Sequence, residues 1–175
     1  MTFSPFSSKG VAHSAFWGWP GILALIVLAL DQLSKWLIYR LWPEPGCGEC
    51  VLIPGFFRIV HWRNLGAAWG IFAGHTWMLG VLSLCALVAL IIFFDYLTEG
   101  KKLLSYPFGV LIGGIAGNMI DRFFYEDGVI DFIRFEFWPA FNIADSAICC
   151  SVIFLVVVNF LYTKKEGKPT PEDGK

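Results

Sequence analysis

The stretch WGWPGILALIVLALDQLSKWLIY, residues Trp17–Tyr39, decides the fold class of this chain. Its core from Ile22 to Leu30 is wholly apolar, and the full stretch exceeds the roughly 20 residues that a helix needs to cross a bilayer. Charged residues enter only in the second half, as Asp31 and Lys35. The stretch therefore predicts a membrane-spanning helix with polar side chains near one end.

Three further apolar runs have a similar length, and the composition supports the same interpretation. Hydrophobic residues make up 57% of the 175 residues, against roughly 45–50% in soluble domains. We expect an all-α membrane protein with four transmembrane helices in one domain, residues 1–163, and a disordered cytoplasmic tail, residues 164–175. The predicted spans are 17–39, 77–96, 103–120 and 140–162.

The first apolar core also has about the length of a signal-peptide h-region. It runs into DQLSKW rather than into a cleavage site of small residues. We expect the segment to stay attached as the first span.

The distribution of lysine predicts the orientation of the four spans. With four spans, both termini and the turn between the second and third spans lie on the same side of the membrane. The lysines on that side are Lys9, Lys101, Lys102, Lys164, Lys165, Lys168 and Lys175. Because basic residues favour the cytoplasmic side, both termini are expected there, and the loops 41–75 and 121–139 are expected outside. The first loop is rich in β-branched and aromatic residues and predicts a small extracytoplasmic β-rich subdomain. The second is expected as a second extracytoplasmic loop between helices three and four.

Polar residues collect at the predicted outer ends of three spans. The first span carries Asp31 and Lys35 there, the third ends in GNMIDR, and the fourth has Asn142, Asp145 and Ser146 near its start. A transporter usually places its substrate-binding residues near the midplane. The pattern favours a site close to the outer surface.

Asp131 and Asp145 are the candidate catalytic residues. An ionisable residue within or beside a membrane span is a functional hypothesis by default, because burying its charge is costly. Two carboxylates brought together cannot both ionise easily, so one can take a proton from water while the other donates one to a carbonyl. Rival nucleophile patterns such as HExxH and GxSxG are absent from the sequence. Peptide hydrolysis is the expected reaction class.

Several features have a structural interpretation. Asp31 and Lys35 are four residues apart and can neutralise each other on one helix face. The glycines Gly109, Gly113, Gly114 and Gly117 predict close helix packing. A local disulfide or two idle thiols are expected for the pair Cys47 and Cys50, and packing roles for Cys85, Cys149 and Cys150. Asn64 and the small residues after it predict either an open polar notch or an ordinary turn.

Five motifs, in order along most of the chain, closely resemble the bacterial lipoprotein signal peptidase family, an aspartyl membrane protease family. These are DQLSK (Asp31–Lys35), NLGAAWGIF (Asn64–Phe72), GGIAGNMIDR (Gly113–Arg122), VIDF (Val129–Phe132) and FNIADS (Phe141–Ser146). The resemblance implies an enzyme of the bacterial inner membrane that removes the signal peptide of prolipoproteins by cleaving before the diacylglyceryl-modified cysteine.

The resemblance also implies roles for individual residues. Asp131 and Asp145 match the catalytic dyad, and the supporting or substrate-binding residues that match are Asp31, Lys35, Asn64, Gly66, Asn118, Asp121, Arg122, Asn142 and Ala144. No metal or organic cofactor is implied, and the expected partners are the lipidated prolipoprotein and membrane lipid. A monomer is expected to suffice. The net charge of −1 argues against a nucleic-acid partner.

Two other classes of function remain open from the residues alone. A small transporter or proton relay could use paired membrane carboxylates, and a non-enzymatic assembly factor could use glycine-packed helices and aromatic loops. The first predicts flux in sealed vesicles without a peptide product. The second predicts that both aspartates tolerate Asn.

Overall fold

The computed structural model describes residues 18–66, 71–72, 74–99 and 101–166, with side chains described as far as residue 161. The helices and strands within these ranges follow in the order α1 (Trp19–Leu41), β1 (Glu49–Ile53), β2 (Phe57–Asn64), α2 (Thr76–Ile92), α3 (Phe94–Thr98), α4 (Lys102–Phe124), β3 (Val129–Phe135), β4 (Trp138–Phe141) and α5 (Ile143–Glu166).

Three of the helices, α1, α4 and α5, are long and apolar enough to cross a membrane. The run predicted as the second span is divided: α2 is a shorter apolar helix of 17 residues, and α3 follows after Phe93. The chain is a membrane protein with three candidate spanning helices and a small antiparallel sheet. A fourth span made by α2 and α3 stays a prediction.

Helix α4 lies at the centre and packs against α1, α2 and α5. Its glycines make this possible, because there is no room for a larger side chain. A Cβ on Gly113 would lie 2.5 Å from the carbonyl oxygen of Ala24 in α1, and one on Gly114 would lie 2.7 Å from that of Ala144 in α5. The predicted role of the glycines in close packing is confirmed.

The sheet has the order β1-β2-β3-β4, with every neighbouring pair antiparallel. The β-rich character expected for the first outer loop is therefore present. The second loop, for which the sequence predicted no secondary structure of its own, supplies β3 and β4. Both loops build one sheet because β2 and β3 pair with each other, a contact between distant parts of the chain that neither loop reveals alone.

The sheet is anchored on the end of α1 by buried side chains. Ile130 and Phe132 of β3 pack against Ile38 in a common apolar cluster. The buried ring of His61 in β2 lies with Nδ1 2.6 Å from the carbonyl oxygen of Trp42, and burial lowers the pKa of this histidine. These contacts fix the sheet over the polar ends of the helices.

The helix bounds differ from the predicted spans at several ends. Helix α4 continues to Phe124, so Asp121 lies inside the helix rather than in a loop. Helix α5 begins at Ile143 instead of residue 140, because residues 138–141 pair as β4. Its backbone remains helical to Glu166, beyond the predicted start of the disordered tail. The beginning of the first predicted span, Trp17, and tail residues 167–175 lie outside the described residues.

Candidate active site

Three buried charges from two helices form the base of the site. The Lys35 ammonium lies 2.7 Å from Asp31 Oδ2 and 2.9 Å from Asp121 Oδ2, and all three side chains are at most 4% exposed. The predicted neutralisation of Asp31 by Lys35 is confirmed. A buried charge is tolerated when a partner and hydrogen bonds satisfy it, and this cluster joins α1 to α4 in that way.

Amide groups extend the charged cluster towards α5. Gln32 Nε2 donates to Asp121 Oδ1 at 3.0 Å and to the Gly117 carbonyl oxygen at 3.1 Å. The Ala144 backbone N–H donates to Asp31 Oδ1 at 2.9 Å. Helix α5 therefore begins against a carboxylate of α1, which satisfies one of its otherwise unpaired N–H groups.

Asp145 is held by a reciprocal hydrogen-bond arrangement at the start of α5. The Asp145 N–H donates to Asn142 Oδ1 at 2.9 Å, and the Asn142 N–H donates to Asp145 Oδ2 at 3.2 Å. This is the geometry of a capping box, in which residues three apart satisfy each other's N–H groups. Asn118 Nδ2 donates to the other oxygen, Oδ1, at 2.7 Å. These donors fix the orientation of the Asp145 side chain at the start of α5.

Lys35 determines which way the Asn118 amide faces. Its ammonium donates to Asn118 Oδ1 at 3.0 Å, and Asn142 Nδ2 donates to the same oxygen at 3.0 Å. Because an ammonium is only a donor, the oxygen of Asn118 must face Lys35. The NH₂ group is then left to face Asp145.

Asp131 lies in β3 and is 1% exposed. Asn142 Nδ2 donates to Asp131 Oδ1 at 2.7 Å, and Asn64 Nδ2 donates to Oδ2 at 3.1 Å. Burial, followed by the negative charge of Asp145, raises the pKa of Asp131 to about 7. The amide of Asn142 contacts both aspartates, so the two predicted catalytic carboxyl groups belong to one hydrogen-bonded cluster.

A cavity of about 760 Å³ opens beside this cluster, bounded by α2, α4, α5 and β4. Its polar lining includes Asn64, Asn118, Arg122 and Asp145, and apolar side chains from the helices line the rest. Asp131 is not among the described residues that line it. Cys149 and Cys150, predicted to be small packing residues within an apolar span, are exposed and line the cavity. The packing prediction for these two, and for the exposed Cys85, is wrong, because these thiols face outward from their helices.

Arg122 reaches across the cavity to the loop after β2. Its Nη1 donates to the Asn118 carbonyl oxygen at 3.2 Å and its Nη2 to the Gly66 carbonyl oxygen at 3.3 Å, whereas Nε has no partner among the described atoms. The Gly66 N–H donates to Asn64 Oδ1 at 3.0 Å. Asn64 and Gly66 therefore form a polar turn beside the cavity. The remaining residues of the predicted notch, Ala67 and Ala68, lie outside the described residues.

The structure brings all eleven predicted site residues into one continuous cluster of contacts. Gln32 belongs to it as well, and sequence reasoning missed it. Its position directly after Asp31, with an amide able to donate twice, was the available signal.

Cys47 and Cys50 are exposed free thiols. Within the described part of the chain, no group of three or more His, Cys, Asp or Glu residues could hold a metal ion.

The comparisons with known proteins assign the class of protein, an aspartic-type membrane peptidase. The family described as Signal peptidase (SPase) II matches residues 23–161. The chain belongs to this signal peptidase II family.

Individual relatives agree with the family match. The chain is 38% identical to a Lipoprotein signal peptidase of Bacillus pumilus (strain SAFR-032), over 85% of this chain and 97% of that one. It is 35% identical to a protein of the same name from Bacillus subtilis (strain 168), over 84% and 96%.

Solved structures share the fold. One bacterial membrane enzyme determined by the in meso method at 2.3 Å resolution is similar with a TM-score of 0.78 and 31% identity, over 91% of this chain and 96% of that one. A second, at 1.9 Å resolution, has a TM-score of 0.71 and 32% identity, over 82% and 93%.

Proposed function

We propose that this protein is a bacterial inner-membrane endopeptidase that removes the signal peptide from prolipoproteins. Family membership and the two relatives named Lipoprotein signal peptidase support this assignment. We further propose that cleavage occurs directly before the S-diacylglyceryl cysteine. The enzyme acts as a monomer near the outer face, with α2 and α3 as a fourth span.

The hydrogen bonds of the two aspartates carry the mechanistic proposal. The Asp145 carboxyl accepts two hydrogen bonds, from the Asn118 side chain and the Asn142 N–H, and acts as the base that takes a proton from water. Burial and the neighbouring charge of Asp145 raise the pKa of Asp131 to about 7. Asp131 therefore keeps its proton at lower pH and can donate it to the scissile carbonyl oxygen.

The peptide bond breaks in two steps. Water attacks the carbonyl carbon as Asp145 takes a proton and Asp131 gives one, forming a tetrahedral diol. Its collapse breaks the C–N bond, the proton on Asp145 passes to the leaving amine, and Asp131 recovers its proton from the diol. Cleavage should therefore decline as pH rises above about 7.

Asn64 is the proposed gate to Asp131. It lines the cavity and covers Asp131 Oδ2, so displacement of its amide by the substrate backbone opens that oxygen to the cavity. Arg122, with an unpaired Nε at the cavity wall, is proposed to bind a substrate carbonyl.

The shape of the cavity supports lateral entry of a helical substrate. Its walls come from Leu79 and Leu82 of α2 and from Ile115 and Ile148 of α4 and α5, and they lead to Asp145. A signal-peptide helix can enter this apolar groove from the bilayer. Insertion of the lipid chains into the bilayer, about 0.8 kcal/mol per CH₂ relative to water, holds the substrate in the membrane beside the groove.

Cleavage by purified protein tests the proposal. A diacylglyceryl-modified prolipoprotein should be cut, and the unlipidated precursor should be cut poorly. Asp131→Asn and Asp145→Asn should each lower kcat by about 10²-fold or more. Asp127→Asn is the matched control, because Asp127 lies in the adjoining loop with its side chain 60% exposed, and it should cleave normally. Near-normal cleavage by either dyad variant would refute the dyad.

A further inference from the structure

A second, smaller pocket of about 360 Å³ lies on the sheet next to the main cavity. Its wall contains Trp62 of β2 and Trp138, Pro139 and Ala140 of β4. The three β4 residues also line the main cavity. One short strand therefore separates the two spaces, and a bound chain can pass from one to the other over β4.

Trp62 places this pocket directly beside the proposed dyad. In the antiparallel pairing of β2 with β3, Trp62 lies opposite Asp131, and directly opposed residues project from the same face of a sheet. Asn64, two residues further along β2, shares that face and donates to Asp131. A substrate whose peptide bond lies at the two aspartates therefore has Trp62 as a near neighbour.

The direction of the substrate decides which of its parts reaches the pocket. The apolar groove between α2, α4 and α5 suits the signal helix, which precedes the cleaved bond. The sheet lies beyond the ends of these helices, outside the apolar spans. The segment after the cleaved bond must leave the groove on that side.

The chemistry of the pocket suits a short extended peptide. Two indoles, 54% exposed at Trp62 and 50% at Trp138, offer flat surfaces for apolar side chains and peptide planes. Arg134 and Glu136 are also among the lining residues, so charges of both signs are present. The volume falls in the lower range of ligand pockets, about 300–1,000 Å³.

We propose that the pocket between Trp62 and Trp138 binds the first residues that follow the lipidated cysteine of the substrate. It is a subsite for the mature side of the cleaved bond and holds an extended peptide there. This inference rests on the proposed function.

Two lipidated substrates test the subsite, one ending at the modified cysteine as an amide and one extended by three uncharged residues. In the wild-type protein the extension should raise kcat/KM about tenfold, equivalent to about 1.4 kcal/mol. In Trp62→Ala the ratio of the two values should fall towards one. Trp19→Ala, with an exposed indole at the opposite end of α1, should keep the wild-type ratio.

Photo-crosslinking of the wild-type protein provides a readout that does not depend on the folding of a variant. A benzoyl-phenylalanine two residues after the cysteine should label residue 62 or residues 136–140, identified by mass spectrometry. The subsite would be overturned if the extension did not raise kcat/KM in the wild-type protein, or if folded Trp62→Ala kept the wild-type ratio of the two kcat/KM values. Crosslinking to residues elsewhere in the protein would overturn it as well. Cleavage of neither substrate by wild-type protein would instead overturn the proposed function, and the subsite with it.

Discussion

At Asp131, burial and the charge of Asp145 act in the same direction and raise the pKa to about 7. The unfolded chain has an aspartate pKa of about 3.9. A carboxyl group whose pKa is raised by folding contributes stability below the unfolded value, and this contribution is lost as pH rises towards 7. The proposed acid of the reaction is therefore also a site at which alkaline pH weakens the fold.

Comparison with Asp131→Asn measures this effect. The wild-type unfolding temperature in detergent should fall relative to that of the variant between pH 4 and pH 8, because Asn has no charge to bury. Each unit of pKa shift corresponds to about 1.4 kcal/mol. Asp127→Asn, at an exposed carboxylate, should run parallel to wild type. Parallel curves for Asp131→Asn would show that the pKa is not raised.

Lys35 is the residue on which the buried cluster depends most. Lys35→Met leaves Asp31 and Asp121 buried without their cation and should cost about 3–5 kcal/mol of stability, as expected when one partner of a buried pair is removed. Thermal unfolding of purified protein measures the loss.

The matched control is Gln32→Met, which removes the hydrogen bonds that the uncharged Gln32 amide donates to Asp121 at 3.0 Å and to Asp31 at 3.3 Å. It should cost less, about 1–3 kcal/mol. Equal losses for both variants would show that the ammonium charge contributes little to the cluster.

At the scale of elements, α4 owes its central position to glycines on two of its faces. Gly117 is the tightest of those near the site, since a Cβ there would lie 2.5 Å from Asp31 Oδ2 and 3.3 Å from Ala144 Cβ. The contact of α4 with α1 and the start of α5 both depend on this absence of a side chain.

Gly117→Ala should therefore separate the helices and displace Asp31 from the Ala144 N–H. We expect a loss of about 1–3 kcal/mol, typical of overpacking, together with reduced cleavage. Gly80→Ala in α2 is the control, because a Cβ there would have its nearest contacts at 3.3 Å, against 2.5 Å at Gly117. If Gly117→Ala is as stable and active as Gly80→Ala, the close approach is not required.

At the scale of the whole molecule, the site requires both loops to lie on one side of the membrane, since β2 and β3 pair within one sheet. An even number of spans must then separate them. The number is two if α2 and α3 together cross the bilayer as one span and α4 crosses it as the other. It is one, and therefore odd, if α2 and α3 do not cross.

Alkaline phosphatase fusions test this topology, and with it the expectation that the lysine-rich side of the protein faces the cytoplasm. Fusions after residues 48 and 127 should be active outside the cytoplasm, whereas fusions after residues 101 and 166 should be inactive. A fully active fusion after residue 101 would show that α2 and α3 do not cross the membrane.

The sequence by itself determined the membrane class and the approximate position of three candidate spanning helices, and it predicted eleven site residues that the structure brings together. These follow from apolar run length and from motifs, and both are local properties of the chain. It also predicted the Asp31–Lys35 pair and the role of the glycines, because residues four apart lie next to each other on the same face of a helix.

Only the tertiary structure decided how the site is assembled. The pairing of β2 with β3 brings Asn64 to Asp131, and the bond from Ala144 to Asp31 seats α5 on α1. Gln32 joins through contacts with residues more than 80 positions away. Such contacts depend on how elements pack, and no local pattern encodes them. For the same reason the capping box at Asn142 and Asp145 became visible only when α5 was seen to begin at Ile143.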